Sequence, residues 1–345
     1  MNSIPLLSIY IPVHNHSKVI ENNLEAMAQE IRQTGAVNDI EVVISDNAST
    51  DDTQDKVRNF IKNNSDLKIL YDRNQVNIGG IKNILHLWDK TTGLNVIMIG
   101  DDCFAKNGLV SVYNTLKENC DADIIILKNN TYTDFEYITD ASVADVIRNF
   151  EKLQYIGNFI LKRSHFAIKF DDYKIDYINA YPHLILIMDK IMDAKRVIDT
   201  RFVAINIAIS WNFHKTIKII FKLPIDCIKI AEMSRNKIGE NNYKMLLKIL
   251  NKSLYNSIRF VRGHKNRFSL FKYVWLESPV KNPKVLISLA LHCFPAPFFY
   301  LFKFIDSGFK YSKYCFQEIR RNQAIWKEKD FLDFQDHTED KFTIL

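Results

Sequence analysis

The 345-residue sequence has no closely spaced pair of cysteines, and its first residues do not have the pattern expected of a secretion signal. Its five cysteines are odd in number and widely spaced, and no two of them have the spacing of a metal-ligand or redox pair. The segment Met1–Pro5 has no basic region ahead of an apolar run. We therefore expect free thiols in a reducing cytosol and a chain that remains on the cytoplasmic side of the membrane.

Charge is unevenly distributed along the chain. Residues 1–200 carry 21 Lys and Arg against 28 Asp and Glu, a net charge of −7, and residues 201–345 carry 25 against 12, a net charge of +13. A basic half suggests an anionic partner, either nucleic acid or a phospholipid surface. The length and this asymmetry predict two domains, divided near residue 200.

Short apolar runs alternate with helical patterns in the acidic half. Strands are predicted at Leu6–Val13, Ile40–Ser45, Leu67–Tyr71 and in the run between Gly93 and Gly100. The segments between them repeat apolar residues every three or four positions, and Ser17 is predicted as the N-cap of the first helix. This order predicts an α/β fold with a mostly parallel sheet and helices on both faces.

A polar cluster follows each of these strands. The clusters are Pro12–Asn15, Asp46–Asp52, Asn77–Lys82 and Asp101–Asp102. Ligands bind beyond the carboxyl ends of the strands in open parallel sheets, so the four clusters predict a ligand site at one edge. Two adjacent carboxylates repel each other, and a divalent cation would relieve that repulsion. The alternative is a solvated turn in which Asp101 caps a helix.

The four clusters in this order resemble the family 2 glycosyltransferases. The matching elements are Pro12-Val13-His14-Asn15, Ser45–Thr53, Asn77-Ile78-Gly79 and Gly100-Asp101-Asp102. These enzymes have the Rossmann-like GT-A fold and transfer sugars from nucleotide-diphosphate donors with inversion. The resemblance is good over residues 5–125 and thinner to about residue 190.

The resemblance assigns roles to individual residues. It implies that Asp102 coordinates Mn²⁺ or Mg²⁺ at the diphosphate and that Asp101, on the sugar side, is a second candidate ligand. Asn47 stands where the family commonly has a second Asp, and its amide can still bond a pyrimidine edge. Lys82 is the nearest cation for the phosphates, or else a solvated helix lysine. The donor-binding residues that it implies are Pro12, His14, Asn15, Asp46, Asn47, Ser49, Asn77, Gly79, Lys82 and Asp101.

The catalytic base departs from the family pattern. Family members commonly place an acidic base about twenty residues after the strand that Tyr155–Arg163 resembles, but Asn179–His183 contains no carboxylate. His183 has a side chain with an ordinary pKa of about 6.5, which suits proton transfer near neutral pH. We predict it as the base or an acceptor contact. The alternatives are a structural histidine, with the base among Asp171, Asp172 and Asp176.

The Tyr181-Pro182-His183 arrangement resembles the abequosyl- and rhamnosyl-type transferases of bacterial surface polysaccharides. In the basic half, apolar residues from Tyr243 to Ile258 repeat at helical spacing, and Val285–Ile305 is strongly apolar but contains two prolines. A bent segment at a membrane surface and a buried helical hairpin both fit that run. No recognisable nucleic-acid module is present.

These observations predict a metal-assisted glycosyltransferase. Its donor is a nucleotide-diphosphate sugar, and its acceptor is a glycan, lipid-linked, at the inner face of the cell membrane. Two alternatives stay open. One is a protein of the same fold that binds nucleotide sugar without turnover, and the other is a nucleic-acid-binding protein.

Overall fold

The fold is taken from a computed structural model. It describes residues 3–100, 102–129, 156–166, 184, 188, 193–206 and 217–257. Several predicted features lie outside these residues, namely Asp101, Asp171, Asp172, Asp176, His183 and the segment 285–305. The chain divides into a first unit, Met1–Trp211 with Ile344–Leu345, and a second unit, Asn212–Thr343.

The first unit contains eight described strands and six described α-helices. The strands are β1 Leu7–Val13, β2 Ile40–Asp46, β3 Lys68–Arg73, β4 Asn95–Met98, β5 Cys103–Phe104, β6 Ile124–Asn129, β7 Phe159–Lys162 and β8 Val197–Asn206. The helices are α1 Ile20–Gln33, α2 Thr53–Asn63, α3 Gly80–Leu85, α4 Leu87–Lys90, α5 Gly108–Glu118 and α6 Arg163–Phe166. A 3₁₀ turn, Ile156–Asn158, precedes β7.

All eight strands form one sheet in the order β3-β2-β1-β4-β7-β6-β8-β5. The first four are parallel, and β1 lies between β2 and β4. The chain therefore reverses its direction of travel across the sheet at β1, and this switch point is where open α/β sheets place their ligands. Beyond β4 the sheet is mixed, because β7 runs antiparallel to both β4 and β6.

Helices cover both faces of the sheet, as the sequence predicted. Side chains alternate across a strand, so Ile9 and Ile11 of β1 join one core cluster with apolar residues of α1, α2 and α5. Tyr10, between them, points to the opposite face, where its hydroxyl donates to the Asn83 carbonyl of α3 at 2.5 Å. The predicted strands and the mostly parallel pairing of the first four are confirmed.

The sheet continues past the boundary predicted at residue 200. β8 runs to Asn206, and its last two residues pair with β5, Ile205 with Phe104 and Asn206 with Cys103. The second unit contains α7 (Ile217–Ile238) and α8 (Glu240–Ser257). Among the described helices, none combines the length and hydropathy that a bilayer crossing requires. The three described cysteines, Cys103, Cys120 and Cys227, are free thiols.

A buried carboxylate ties the strands together at the amino edge of the sheet. Glu41 of β2 is 0% exposed and accepts from the Ser8 hydroxyl at 2.5 Å and the Lys68 ammonium at 2.9 Å. It also accepts from the backbone N–H groups of Thr92 at 2.5 Å and Gly93 at 3.1 Å. Burial raises the pKa of Glu41, but the hydrogen bonds from Ser8, Thr92 and Lys68 outweigh it and lower the pKa to about 2.

Glu41→Gln is expected to reduce stability in a pH-dependent way. The unfolded-state pKa of a glutamate is about 4.3, so ionised Glu41 stabilises the fold by about 3 kcal/mol at pH 7. That contribution is present above pH 4.3 and is lost as the pH falls toward 2. Urea denaturation at pH 7 and pH 3 measures it, with the exposed Glu25→Gln as control. A gap between wild type and Glu41→Gln that is equal at both pH values contradicts the assignment.

Candidate functional site

The loop after β1 is held by hydrogen bonds to side chains of residues 49–53, which lie just before and at the start of α2. Three successive backbone N–H groups donate to these side chains. Asn15 N–H donates to Ser49 Oγ at 2.9 Å, His16 N–H to Thr53 Oγ1 at 2.8 Å, and Ser17 N–H to Asp51 Oδ2 at 3.1 Å. The polar residues from 49 to 53 therefore position the loop of β1 as well as opening their own helix.

Ser17 is not the N-cap of α1, contrary to the prediction. The helix begins at Ile20 after Val19, without a side-chain cap. The Ser17 backbone N–H instead bonds the Asp51 carboxylate. Burial raises the pKa of Asp51, but bonds from Thr53 and Ser17 lower it to about 2.

Asp46 is a fully buried carboxylate at the carboxyl end of β2. Its Oδ1 accepts from the Ser49 backbone N–H at 2.8 Å, which closes the turn through Ala48 at a φ of 57°. Its Oδ2 accepts from the Tyr71 hydroxyl at 2.5 Å and lies 3.5 Å from Arg73 Nε. Burial and the Asp46 carboxylate together raise the pKa of Tyr71, so the phenol stays a donor. Asp46 thus joins the ends of β2 and β3.

A chain of amides extends from the core to the surface beside Asp46. Asn83 of α3 is 2% exposed; its Nδ2 donates to the Ser45 carbonyl at 3.0 Å, and its Oδ1 accepts from Asn74 Nδ2 at 3.0 Å. The same Asn74 amide donates to Asn47 Oδ1 at 3.1 Å. Asn47 Nδ2 donates to Asn77 Oδ1 at 2.8 Å. These bonds position the loop between β3 and α3.

The imidazole of His14 lies at the outer end of this chain. Its Nε2 is 3.3 Å from Asn77 Nδ2 and 3.4 Å from Asn15 Nδ2. His14, Asn15, Asn47, Ser49 and Asn77 are thus brought together by direct hydrogen bonds, as the strand-end pattern predicted.

Asp102 follows β4, the strand on the other side of β1. The β1–β4 pairing continues one residue past Met98, through the bond from Ile99 N–H to the Tyr10 carbonyl at 2.9 Å. Cys103 then joins β5. Burial raises the pKa of the Cys103 thiol, and the negative charge of Asp102 raises it further. Asp102 is half-buried at the switch-point edge of the sheet.

The segment after Asp102 is held at its far end by a carboxylate from α1. The Glu30 carboxylate accepts from the backbone N–H groups of Asn107 at 2.6 Å and Leu109 at 3.1 Å. N–H groups at the start of a helix such as α5 have no partner within the helix, and Glu30 supplies one. Gly108 lies against β8, and a Cβ there would be 2.4 Å from the Ala204 carbonyl oxygen. Hydrogen bonds therefore fix the backbone at Ile99 before Asp102 and at Asn107 and Leu109 after it.

Pro12, Gly79 and Lys82 are the remaining predicted donor-binding residues that the structure describes. Pro12 is half-buried near the end of β1, and Gly79 precedes α3 with a φ of 87°, a conformation that suits glycine. Lys82 is exposed on α3.

The carboxylate of Asp102 suits a divalent cation that completes its coordination with other ligands. Among the residues that the structure describes, no three His, Cys, Asp or Glu side chains form a cation cage. Mg²⁺-type sites use one or two carboxylates and complete their coordination with substrate phosphates and water. A single strand-end carboxylate matches that donor set.

Four residues of the edge were not predicted as site residues. They are Tyr71, Arg73, Asn74 and Asn83. Arg73 pairs in register with Asp46, and its Nη2 donates to the Ser49 carbonyl at 2.9 Å, contacts that are visible only once the strand register is known. Asn83 carries no signal in the sequence, because only its burial distinguishes it from an ordinary polar residue of a helix.

Known proteins resemble this chain in sequence. Residues 8–169 match the family model described as glycosyl transferase family 2. The abequosyltransferase RfbV of Salmonella typhimurium is 29% identical over 207 residues, which are 53% of this chain and 60% of that protein. A validoxylamine A glucosyltransferase of Streptomyces hygroscopicus is 46% identical over 57 residues, 16% of this chain and 13% of that protein. The chain therefore spans at most 60% of these relatives.

Solved structures share the fold at low sequence identity. S. aureus TarS 1–349 in complex with UDP has a TM-score of 0.55 at 16% identity, covering 95% of this chain and 94% of that one. The mannosyltransferase PcManGT of Pyrobaculum calidifontis, in complex with GDP-Man and Mn²⁺, has a TM-score of 0.55 at 14% identity, covering 95% and 89%.

Asp46→Asn is expected to destabilise the edge. An amide at this position loses the carboxylate that pairs with Arg73 and offers Tyr71 a weaker acceptor in a fully buried place. We expect the free energy of unfolding to fall by about 2 kcal/mol in urea denaturation at pH 7. The matched control is Asp72→Asn on the neighbouring strand β3, because the Asp72 carboxylate is 42% exposed and pairs with Lys90. The free energy of unfolding of Asp72→Asn should fall by less than about 1 kcal/mol. An equal fall in both variants would contradict the role of Asp46.

Proposed function

Because residues 8–169 match the family model described as glycosyl transferase family 2, we propose that the chain transfers a sugar from a nucleotide-diphosphate sugar to a glycan acceptor with inversion. One observation carries this proposal. His14, Asn47 and Asn77 are joined by hydrogen bonds on one side of the switch point, and Asp102 follows the strand on its other side. The GT-A fold, shared with structures that contain UDP and GDP-Man, supports a nucleotide-sugar donor.

The reaction requires stabilisation of a leaving nucleoside diphosphate. A divalent cation, Mn²⁺ or Mg²⁺, would neutralise the charge that develops on the leaving phosphate. Asp102 would hold that cation, and Asp101 is proposed beside it. The loop Pro12–Asn15 and the loop at Asn77–Gly79 would enclose the nucleotide.

An inverting transfer also requires a base for the acceptor hydroxyl. We propose His183 for this role, with Asp171, Asp172 and Asp176 as alternatives. The support is the chemistry of the imidazole and the position of His183 in the sequence, about twenty residues after Tyr155–Arg163. Replacing the true base lowers kcat and leaves nucleotide affinity unchanged.

The acceptor is proposed to be a lipid-linked glycan of a bacterial surface polysaccharide. Partial identity to an abequosyltransferase supports this class. The net charge of +13 in residues 201–345 supports association with an anionic membrane surface. Retention on anionic vesicles distinguishes this from a nucleic-acid partner, for which salt-sensitive retention on DNA is expected instead.

A donor screen tests the function as a whole. UDP-, GDP-, dTDP- and CDP-sugars are added with Mn²⁺, and thermal stability and donor hydrolysis are measured. One donor is expected to stabilise the fold, because a ligand that binds only the native state raises its stability. Stabilisation without hydrolysis for every sugar would favour a non-catalytic nucleotide-sugar-binding protein.

Asp102→Asn is expected to reduce metal-dependent donor turnover about 100-fold or more, because the amide cannot hold the cation at the diphosphate. The matched control is Asp121→Asn, an acidic residue with a 67% exposed side chain that pairs with Arg196 near the start of β6. Its turnover should equal that of wild type. Unchanged turnover in Asp102→Asn would contradict the site assignment.

A further inference from the structure

The Nε2 atom of His14 faces two amide nitrogens. Asn77 Nδ2 lies 3.3 Å from it and Asn15 Nδ2 lies 3.4 Å from it. An amide NH₂ group can only donate, so Nε2 must accept from both if the two amides are oriented in this way. The two contacts share a single lone pair, which accounts for their length.

Backbone groups fix the orientation of both amides. The Thr50 N–H donates to Asn15 Oδ1 at 2.8 Å, so the oxygen of Asn15 points to Thr50 and its NH₂ group points to His14. The Gly79 N–H donates to Asn77 Oδ1 at 2.9 Å and sets Asn77 in the same way. A backbone N–H has no alternative role as an acceptor, so neither amide can be reversed without losing a bond.

Asn47 strengthens the orientation of Asn77. Its own oxygen is fixed by the Ile78 N–H, which donates to it at 2.9 Å, so its Nδ2 donates to Asn77 Oδ1 at 2.8 Å. Asn47 is 3% exposed, and its oxygen accepts a second bond from Asn74. The Asn47 oxygen thus already accepts two hydrogen bonds within the protein, so a contact of this amide with a pyrimidine edge would use the second N–H of Nδ2.

The protonation state of the ring follows from these contacts. A proton on Nε2 would point at two N–H donors, whereas a proton on Nδ1 leaves Nε2 free to accept. Within the part of the chain that the structure describes, Nδ1 is buried and has no hydrogen-bond partner. These contacts favour the tautomer that carries its proton on Nδ1.

We propose that Asn77, supported by Asn47, is a positioning residue that holds His14 in the neutral Nδ1–H form, and that this form binds the donor nucleotide. The inference rests on the proposed function, because it takes the His14 loop as the nucleotide site. It explains why an asparagine is suited to position 47, since a carboxylate there could not donate to Asn77.

The tautomer is measured by ¹⁵N NMR of the full chain with labelled histidine. In wild type, the His14 Nε2 resonance is expected in the unprotonated range and Nδ1 in the protonated range. Asn77→Asp replaces the NH₂ group with an acceptor, so the proton should move to Nε2. We expect the affinity for the bound nucleoside diphosphate, among UDP, GDP, CDP and dTDP, to fall about tenfold.

The matched control is Gln75→Glu, which adds the same charge to the exposed part of the same loop. Its tautomer should be that of wild type and its nucleotide affinity within twofold. A protonated Nε2 in wild type overturns the proposal, even if no variant folds. A tautomer switch with unchanged affinity overturns the binding step alone. A wild-type chain with the expected tautomer that binds none of the four nucleotides refutes the proposed function and leaves the positioning of His14 in place.

Discussion

The carboxyl edge of the sheet depends on one constraint, which is that buried polar groups must be hydrogen-bonded. Asp46, Asn47 and Asn83 are almost completely removed from water, and each finds its partners in a different segment of the chain. Satisfying these groups joins the ends of β2 and β3 to the loop before α3. The same bonds bring His14 and Asn77 together, so the geometry of the site is a consequence of how the core is closed.

The sequence predicts the architecture of this domain well because apolar periodicity and parallel topology are local signals. Strands β1 to β4 lie within one or two residues of their predicted starting positions, and the polar strand ends meet at one edge. In an open parallel sheet the position of the ligand site is then largely determined, because ligands bind at the switch point, which here is β1. The resemblance to a known family added only predicted roles for Asp46, Asn77 and Asp102.

The details of the site could not be predicted, because they depend on which partner each polar group selects. Thr53 and Asp51 read as helix-capping residues, yet their side chains also bond the loop after β1. Asn47 reads as a residue that faces the ligand, yet its side chain is buried and bonds Asn77. Periodicity reports which face of an element is buried and carries no information about such pairings between segments.

The two buried carboxylates of β2 have a consequence for strand alignment. Both faces of this strand are buried, so apolar packing alone would tolerate a shift by one residue. Glu41 and Asp46 stand near its two ends, each with its own set of donors. A shifted β2 would leave both charges buried without those donors. A shift of β2 would therefore raise the free energy of the fold at both ends of the strand. The burial of two charges without partners thus opposes the misalignment that would displace the site.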